Sequence, residues 1–423
     1  MLIDTALQTQ LDAQRDDRLR VLIVGAGVAG LTLAALLRRG GLHPAVIERM
    51  PSMAHPGYML ALMPIVDVVF DDLGIHEQYV AHSSPLSRYA FRSHTGKTLR
   101  SDDLGDLMSM HGDYQGIERG ELIDLLTADG MPVSFGTTVS SVAFDDTTSH
   151  VSFTGTDAAA SVDLVVAADG IHSRTRDLLP VGDVAELDTG WGGWVSWCDP
   201  IGDPALGEEM WGDGSFLGVY PVKDRLGVFL GGPVDDTRSG QAAFADRVRS
   251  AAPHLDDRMH AALNSVTADD DPYFWPLTDV RAERWVARTG TGASAVLLGD
   301  AAAGFLPTAG IGAAMAMESA WMLGRMLTPL TERDDRLSSL PTVLAAWERI
   351  EKPRVESAQQ NSRMLAKLMF RRGSVTAWLR EAITRMLTVR AALGPIIGLV
   401  ADQPDPDAVF RRAFTESATT PQR

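Results

Sequence analysis

Three glycines and one glutamate near the amino terminus have the spacing of a dinucleotide site. Gly25, Gly27 and Gly30 follow an apolar stretch, and Glu48 ends the next apolar stretch. Gly25 permits a tight turn, Gly27 lets the backbone approach a pyrophosphate, and Gly30 lets a helix pack closely on a strand. Glu48 can accept hydrogen bonds from the ribose hydroxyls, and its charge would repel a 2′-phosphate. This pattern predicts binding of an adenosine diphosphate moiety.

The segments around these residues predict a complete β-α-β unit. We expect a buried strand over 20–24, a helix over 31–38 and a second strand over 44–47. The amino end of the helix would offer free N–H groups and a positive dipole end to the phosphates. Such a unit alone does not distinguish NAD from FAD.

Two later segments each place an aspartate at the end of an apolar stretch. Asp169 and Gly170 follow the predicted strand 162–168, and Gly299 and Asp300 follow the predicted strand 295–298. Open α/β sheets bind ligands at the carboxyl ends of their strands, so both aspartates are candidates for cofactor binding. Taken alone, either aspartate could instead be a helix N-cap. A helix is predicted over 313–327 after the second motif.

The order and spacing of these three motifs resemble the single-component FAD-dependent aromatic hydroxylases, the p-hydroxybenzoate hydroxylase-like family. Arg119, within the sequence IERGELIDLL, and residues 347–354 (WERIEKPR) also match that family, and the resemblance spans roughly residues 18–365. Residues 57–60 (GYML) look like the flavin-flanking loop of its tetracycline-inactivating branch.

The resemblance implies FAD as the cofactor and assigns roles to matched positions. Arg119 would reach the ribityl or pyrophosphate region, and Asp300 would bind their junction. Residues 310–312 would lie against the isoalloxazine, and the Pro307 carbonyl would lie near the site of oxygen transfer. Pro307 and Gly312 are therefore the catalytic candidates, through their backbone groups, and no metal ligands are predicted. The predicted cofactor-binding residues are Gly25, Gly27, Val28, Ala29, Gly30, Glu48, Arg49, Arg119, Val139, Asp169, Gly170, Gly299, Asp300, Pro307, Gly310, Ile311 and Gly312.

The resemblance also implies that Asp169, Ser173 and Arg176 brace the FAD pocket and influence the use of NAD(P)H. Two positions depart from the family pattern. Ala303 stands where the family commonly has histidine, and Thr175 replaces the usual valine. The histidine is normally a support residue in the family, so its loss bears on the assignment to a subfamily more than on the chemistry.

Between the second and third motifs, aromatic residues fall in strand-like stretches. Alternation and turn residues predict an antiparallel sheet there, and a hairpin over 86–99 is expected to join it. In the family such a sheet covers the flavin. An aromatic stripe is more often plain core than a substrate site. The substrate-binding candidates are Met59, Trp194, Trp211, Phe216, Tyr220 and Phe305.

The predicted fold class is α/β: a Rossmann-like FAD-binding domain with an inserted antiparallel β-sheet substrate domain and C-terminal helices. The FAD-binding domain would comprise 18–84, 108–186 and 284–340, and the substrate domain 85–107 and 187–283. Residues 341–423 would form the C-terminal helices. Their apolar stripe is expected to pack on the protein itself, with a dimer face or a cap over the substrate entrance as the alternatives. It consists of Val375, Trp378, Leu379, Ile383, Met386 and Leu387.

The function predicted from the resemblance is that of a monooxygenase. NADPH or NADH would reduce FAD, O₂ would react at the flavin C4a atom, and an aromatic or polyketide-like molecule would be hydroxylated. A flavin-dependent halogenase is a rival function, although residues 194–200 (WVSWCDP) have the wrong spacing for the Trp-x-Trp-x-Ile-Pro motif. A reductase of a prenyl chain and a non-enzymatic flavin-binding regulator are two further rival functions.

Composition excludes several classes of partner and site. The formal net charge of −17, without a basic run, argues against nucleic acid. The single cysteine, Cys198, excludes an internal disulfide and fits a reducing compartment. We find neither a signal peptide nor an integral membrane segment, so a cytoplasmic location is predicted. The expected partners are a small-molecule substrate and O₂, for a monomer or a homodimer.

Overall fold

The computed structural model describes residues 1–53, 57–108, 110–146, 148–269, 273–287, 289, 294–386 and 389–417. The strands are β1 (Leu2–Asp4), β2 (Val21–Val24), β3 (Ala45–Ile47), β4 (Met59–Leu62), β5 (Ser84–Pro85), β6 (Arg88–Arg92), β7 (Thr98–Asp103), β8 (Gln115–Glu118), β9 (Met131–Val133), β10 (Thr138–Phe144), β11 (Ser149–Thr154), β12 (Ala159–Val162), β13 (Leu164–Ala167), β14 (Val184–Cys198), β15 (Leu206–Trp211), β16 (Phe216–Val222), β17 (Arg225–Pro233), β18 (Phe274–Ala282), β19 (Ser294–Leu297) and β20 (Ala303–Gly304). The α-helices are α1 (Leu7–Ala13), α2 (Val28–Arg39), α3 (Asp67–Leu73), α4 (His76–His82), α5 (Gly105–Met108), α6 (Arg119–Leu126), α7 (Val234–Thr237), α8 (Gln241–Ala251), α9 (Asp257–Ala268), α10 (Gly312–Thr331), α11 (Arg336–Met369), α12 (Ser374–Met386), α13 (Val389–Ala401) and α14 (Pro406–Ser417).

A parallel sheet of order β19-β13-β2-β3 forms the centre of the cofactor half. Every residue of these four strands is buried, which explains why each reads as an unbroken apolar run. Helix α2 packs against α10 above this sheet, where a side chain in place of Gly324 would lie 3.1 Å from Leu36. The three motif turns follow the carboxyl ends of β2, β13 and β19, as predicted.

The predicted strand 162–168 is wrong in one respect, because two strands share this segment. Strand β12 ends at Val162 in a small antiparallel sheet, and β13 begins at Leu164 in the parallel sheet. Asp163 lies between them, and its carboxylate accepts hydrogen bonds from the Arg20 backbone N–H at 2.8 Å and from the Arg20 guanidinium at 2.6 Å. This partly buried ion pair holds the chain where it passes from one sheet to the other.

An eight-stranded sheet has the order β20-β18-β14-β17-β16-β15-β6-β7. The predicted hairpin is present as β6 and β7, and it joins this sheet as expected. The sheet is antiparallel as predicted at six of its seven strand pairings, and only β6 and β15 pair in parallel. The hairpin comes from an earlier part of the chain, so no tight turn dictates its direction beside β15. Strand β20 pairs with β18 at the opposite edge of the sheet, although it lies after residue 283, the predicted end of the substrate domain. The predicted domain boundaries stay a prediction.

A smaller three-stranded sheet of order β4-β8-β5 links the parallel sheet and the eight-stranded sheet. Strand β4 pairs with β8, and β5 pairs with the same strand. The Arg119 backbone N–H, just after β8, donates to the Tyr58 carbonyl at 2.9 Å. The chain segments before β4 and after β8 are therefore joined at the border between the parallel sheet and the eight-stranded sheet.

The carboxyl-terminal part is helical, as predicted, but its apolar stripe is not packed inside. Val375 is 78% exposed and Trp378 66% exposed, whereas Ala377 on the same helix is buried. The expectation that this stripe packs on the protein is wrong for these residues; Leu387 lies outside the described residues. None of the helices in the described ranges combines the length and the apolarity needed to cross a membrane.

Candidate active site

One cavity of about 1110 Å³ connects the parallel sheet to the eight-stranded sheet. Its walls contain most of the residues predicted from the sequence. The lining residues from that set are Gly25, Gly27, Val28, Ala29, Glu48, Arg49, Met59, Arg119, Asp169, Gly170, Trp211, Phe216, Tyr220, Asp300, Phe305, Pro307, Gly310, Ile311 and Gly312. Gly30, Val139, Trp194 and Gly299 are not part of the lining.

The glycine motif shapes the floor of the cavity with its backbone. Gly25 has a φ of +108°, and a Cβ there would collide with the Ala168 carbonyl oxygen. Gly27 precedes the first residue of α2, and a Cβ there would meet nothing within 4 Å. A Cβ on Gly30 would collide with the Gly25 carbonyl, which explains why Gly30 serves packing and lies behind the wall. Space therefore remains in front of the helix amino end, where a pyrophosphate fits.

Glu48 stands at the end of β3 with its carboxylate held by two backbone N–H groups. Ala26 donates to one oxygen at 3.0 Å, and Met50 donates to the other at 2.9 Å. Each carboxylate oxygen can accept a further hydrogen bond. The side chain is half-buried and reaches the cavity, so it is fixed in place for the hydroxyls of a ribose.

The second motif is a network that ties two turns together. The Asp169 carboxylate accepts hydrogen bonds from the Ser173 hydroxyl, from the Thr175 N–H at 3.1 Å and from the Thr175 hydroxyl at 2.9 Å. The buried Arg176 guanidinium donates to the Ala301 carbonyl at 3.1 Å. Thr175 thus replaces the family's valine with an additional donor to the aspartate. Asp169 has a structural part in holding the turn, besides lining the cavity.

The third motif presents Asp300 to the cavity. Its side chain is exposed to this space, while the surrounding protein desolvates the carboxyl and raises its pKa to about 6. Gly299 has a φ of +59°, and a Cβ there would lie 2.7 Å from the Ala29 Cβ. Gly299 therefore lets the turn pack on α2, which places the neighbouring aspartate without lining the cavity itself.

The loop before α10 forms one edge of the cavity. The Gly310 N–H donates to the Pro307 carbonyl at 3.0 Å, and Gly310 has a φ of +60°. The Thr308 hydroxyl donates to the Ser362 carbonyl at 2.7 Å and so attaches the loop to α11. A Cβ on Gly312 would lie 3.0 Å from the Phe305 Cβ, so this glycine is needed for packing behind the loop.

Arg119 lies at the start of α6, between the two halves. Its guanidinium carbon is 5.8 Å from the centre of the Tyr58 ring, and the Tyr58 ring lies 5.6 Å from that of Trp275. Burial raises the pKa of Tyr58, and the charge of Arg119 acts in the opposite direction. Arg119 thus supplies positive charge to the cavity beside an aromatic surface.

The opposite wall is aromatic. Phe216 on β16 faces Trp211 on β15 in register, and the rings of Phe216 and Phe229 are 5.7 Å apart. Within this wall Glu209 accepts hydrogen bonds from the Tyr220 hydroxyl and the Trp211 indole N–H, both at 2.7 Å. A single carboxylate therefore stands among aromatic rings.

Two predicted residues have other surroundings. Trp194 is buried between the sheet and the helices behind it, with ring centroids 5.9 Å from Phe244 and 5.3 Å from Phe274. Trp194 is therefore a core residue, the more common role of an aromatic residue in such a stripe. The prediction that Trp194 binds substrate is wrong. Val139 is 5% exposed on β10, and its neighbour Thr138 lines the cavity in its place.

Sequence reasoning missed lining residues from distant parts of the chain. The carboxyl-terminal helices contribute a further wall that no motif marks. The missed residues include Tyr89, Phe91, Tyr114, Glu209, Asn361, Met364, Leu368, Ile383, Leu393 and Ile396. For Glu209 a signal existed, because alternate residues of β15 share one face, and Glu209 shares its face with Trp211.

The residues present fit FAD. A glycine cradle at a helix amino end, a fixed ribose acceptor, a second aspartate and a helix-start loop follow one another along the same cavity. A Cβ at Gly27 would meet nothing within 4 Å, which agrees with a close approach of a ligand to the backbone there.

Comparison with known proteins identifies the family. Residues 18–343 match the FAD binding domain family. The chain belongs to this family. The aurachin C monooxygenase/isomerase of Stigmatella aurantiaca is 26% identical over 390 residues, which cover 88% of this chain and 94% of that protein.

Solved structures agree on the fold. Klebsiella pneumoniae HpxO, complexed with FAD and uric acid, has a TM-score of 0.76 at 22% identity, with 91% of this chain and 97% of that chain covered. The tetracycline destructase Tet(55) has a TM-score of 0.65 at 21% identity and covers 91% of this chain and 97% of its own. The predictions of family, fold class, FAD as cofactor and an FAD-dependent monooxygenase are confirmed.

Proposed function

We propose that this FAD-dependent monooxygenase hydroxylates an apolar aromatic small molecule held between the loop 305–312 and the aromatic wall of the eight-stranded sheet. One observation carries this proposal: the cofactor cradle and the aromatic wall line the same cavity of about 1110 Å³. A substrate bound there would lie beside the cofactor without leaving the protein. The size exceeds that of an ordinary drug-sized site because it must also hold FAD.

The chain's own residues bind and orient the cofactor and the substrate. Gly27 and the amino end of α2 would hold the pyrophosphate, Glu48 the ribose, and Asp300 the ribityl region. When bound, FAD supplies the redox chemistry, with NADPH or NADH as the source of electrons and O₂ as the source of the oxygen atom. The protein contributes binding, exclusion of water and electrostatics.

The loop 305–312 and α10 supply the electrostatic part. Helix α10 begins at Gly312, and its first N–H groups have no partner within the helix. They and the helix dipole would stabilise negative charge on a ring at the loop. The backbone groups of Pro307 and Gly312 remain our candidates for contact with the reacting region.

The apolar walls would keep water from the reaction. Leu306 is 1% exposed and belongs to one apolar cluster with Trp191 and Met369. A dry site strengthens electrostatic interactions and suppresses unproductive loss of reactive oxygen species. A halogenase, a prenyl-chain reductase and a non-enzymatic regulator receive no specific support from these walls.

Oxygen consumption tests the proposal. The FAD-loaded protein is supplied with NADPH or NADH and a panel of phenolic, heteroaromatic and polyketide compounds, and NAD(P)H oxidation, O₂ uptake and product mass are followed together. We expect at least one compound to gain one oxygen atom with matched consumption of NAD(P)H and O₂. NAD(P)H oxidation without O₂ uptake would favour a reductase, and chloride or bromide incorporation would favour a halogenase.

The remaining predictions about the whole protein concern its assembly and location. We retain a monomer or homodimer and a cytoplasmic location as proposals. The location is supported by the single cysteine, Cys198, which fits a reducing compartment. Size-exclusion chromatography with light scattering would measure the assembly, and cell fractionation would measure the location.

A further inference from the structure

A buried carboxylate stands on the cavity face of the eight-stranded sheet. Glu209 is 8% exposed and lines the cavity. One of its oxygens accepts hydrogen bonds from the Tyr89 hydroxyl and, at 2.7 Å, from the Tyr220 hydroxyl. The other accepts from the Trp211 indole N–H at 2.7 Å. None of these donors carries a charge.

The backbone around Glu209 makes room for this arrangement. Gly218 is paired with Glu209 across the sheet, and a Cβ there would lie 2.6 Å from the Tyr220 hydroxyl. Gly207 is paired with Tyr89, and a Cβ there would lie 3.0 Å from the Tyr89 ring. Both tyrosine rings therefore lie over glycines, and their hydroxyls reach the same carboxylate oxygen.

The three neighbouring groups suit the ionised form of Glu209, which only accepts hydrogen bonds. An indole N–H can only donate, so the Glu209 oxygen next to Trp211 is an acceptor. A carboxylate has about four acceptor positions, of which Tyr89, Tyr220 and Trp211 occupy three. Within the described part of the chain, no lysine, arginine or histidine forms an ion pair with it. Burial raises the pKa of Glu209, and the three hydrogen bonds act against that rise.

The Glu209 carboxylate has one unused acceptor position and lies in an apolar cavity. Such a group binds some ligands in preference to others. It favours a ligand that brings an N–H or O–H donor, because an unmet acceptor in a desolvated site is costly. It disfavours a ligand that brings a carboxylate, because like charges repel strongly where water is excluded. Nearby rings provide the surface for an aromatic body.

We propose that Glu209 is a substrate-binding residue that accepts a hydrogen bond from a ring N–H or phenolic O–H of an aromatic substrate and rejects substrates with a carboxylate at that position. This inference rests on the proposed function, because it deepens the substrate class of the same cavity. The ring N–H and the phenolic O–H share the same donor chemistry and are separated by the choice of probes.

Isothermal titration calorimetry on the FAD-loaded protein, without NAD(P)H, tests the proposal. The probes are 2(1H)-quinolone against its N-methyl derivative, 1-naphthol against 1-methoxynaphthalene, and quinoline-4-carboxylate. We expect the donor in at least one pair to bind roughly 10- to 100-fold more tightly than its methylated partner, the range for a hydrogen bond to a charged group. The pair that shows the larger ratio identifies the nitrogen or the oxygen donor. Ratios near one in both pairs would overturn the proposal.

Variants then assign the preference to the residue. In Glu209→Gln the donor preference should fall by roughly 10-fold, and quinoline-4-carboxylate should bind more tightly by a similar factor. Glu186→Gln makes the same charge change at an exposed position of β14 and should leave all ratios unchanged. Unchanged ratios in a folded Glu209→Gln protein would contradict the assignment; if that variant does not fold, the wild-type ratios decide.

The calorimetric result is independent of turnover. A protein that shows the donor preference but consumes no O₂ with any compound would refute the proposed hydroxylation and leave the role of Glu209 intact. A protein that hydroxylates compounds but shows no donor preference would refute the role of Glu209 alone.

Discussion

The cavity has a cofactor half, at the parallel sheet, and a substrate half, at the eight-stranded sheet. The two halves differ in the parts of the chain that form their walls. The cofactor half uses the backbone of short contiguous segments, where Gly25, Gly27 and Gly310 shape turns next to helix amino ends. The substrate half uses side chains from strands that are far apart in the chain, such as Tyr89 and Glu209, which are separated by 120 positions. A backbone site tolerates few substitutions, whereas a side-chain site can change its ligand without a change of fold.

The largest effect is expected where the backbone itself is the binding surface. Gly25→Ala adds a Cβ that collides with the Ala168 carbonyl at a φ of +108°. We expect the loss of about 3 kcal/mol or more of folding free energy and no retained FAD. Flavin absorbance of the purified protein and thermal melting measure both.

Gly41→Ala is the matched control for that variant. Gly41 also has a positive φ, +83°, but a Cβ there meets nothing within 4 Å. It should cost about 1 kcal/mol and keep the flavin content of the parent. Equal losses in the two variants would show that strain alone, rather than the crowded turn, governs the cofactor half.

The next effect concerns the pH dependence of the FAD-free protein. Burial raises the pKa of Asp300 from 3.8 to about 6. A raised carboxyl pKa contributes stability that is fully present below about pH 3.8 and is lost as the pH rises through about 6. The melting temperature of Asp300→Asn, which cannot ionise, should lack this decline. Parallel melting curves of parent and variant from pH 4 to pH 7 would contradict the environment described for Asp300.

A smaller effect is expected in the substrate half, and it should spare the cofactor. Phe216→Leu removes an aromatic ring from the cavity wall, and binding of 1-naphthol should weaken about five-fold, the equivalent of one ring contact of about 1 kcal/mol. The dissociation constant of FAD should stay within two-fold, on the order of normal variation for distant sites. Phe153→Leu, buried on β11 away from the cavity, is the control. Weaker FAD binding in Phe216→Leu, but not in Phe153→Leu, would show that the substrate half and the cofactor half are not independent.

The smallest effect belongs to the network behind the cofactor wall. Thr175→Val restores the residue usual in the family and removes one of the hydrogen bonds to Asp169. We expect a loss of about 0.5 kcal/mol in urea unfolding and unchanged FAD content. Ser173→Ala should cost more, because the Ser173 hydroxyl also accepts from the Arg176 N–H at 2.9 Å. A more stable Thr175→Val protein would contradict this expectation. It would show that packing of the valine side chain stabilises the fold more than the hydrogen bond from the Thr175 hydroxyl does.

The cofactor half was readable from the sequence because its chemistry is local. A positive φ at Gly25 and an acceptor at Glu48 follow from residue type and spacing within one β-α-β unit. Even there, Gly30 and Gly299 support packing behind the wall, and spacing does not separate glycines that face a ligand from glycines that face a helix. The interruption at Asp163 could not be predicted, because its partner Arg20 lies beside another strand.

The substrate half was only partly readable, because its site depends on which strands become neighbours. Trp194 and Trp211 look alike in the sequence, yet one packs on Phe244 behind the sheet and the other faces the cavity. The pair Glu208 and Glu209 reads as a polar stretch of strand. Glu208 in fact pairs with Arg92 at 2.6 Å on the opposite face. The register and the partner strands determine which of these side chains face the cavity. No local sequence pattern contains that information.

The glycines beneath the tyrosine rings give this wall a simple route of evolutionary change. Alanine at Gly218 would differ by one methyl group and would displace the Tyr220 hydroxyl from its place 2.6 Å away. One codon could thus free an acceptor position on Glu209 while the FAD cradle, on separate strands, stayed intact. Descendants of such a chain would inherit the oxygen chemistry and acquire a different range of substrates.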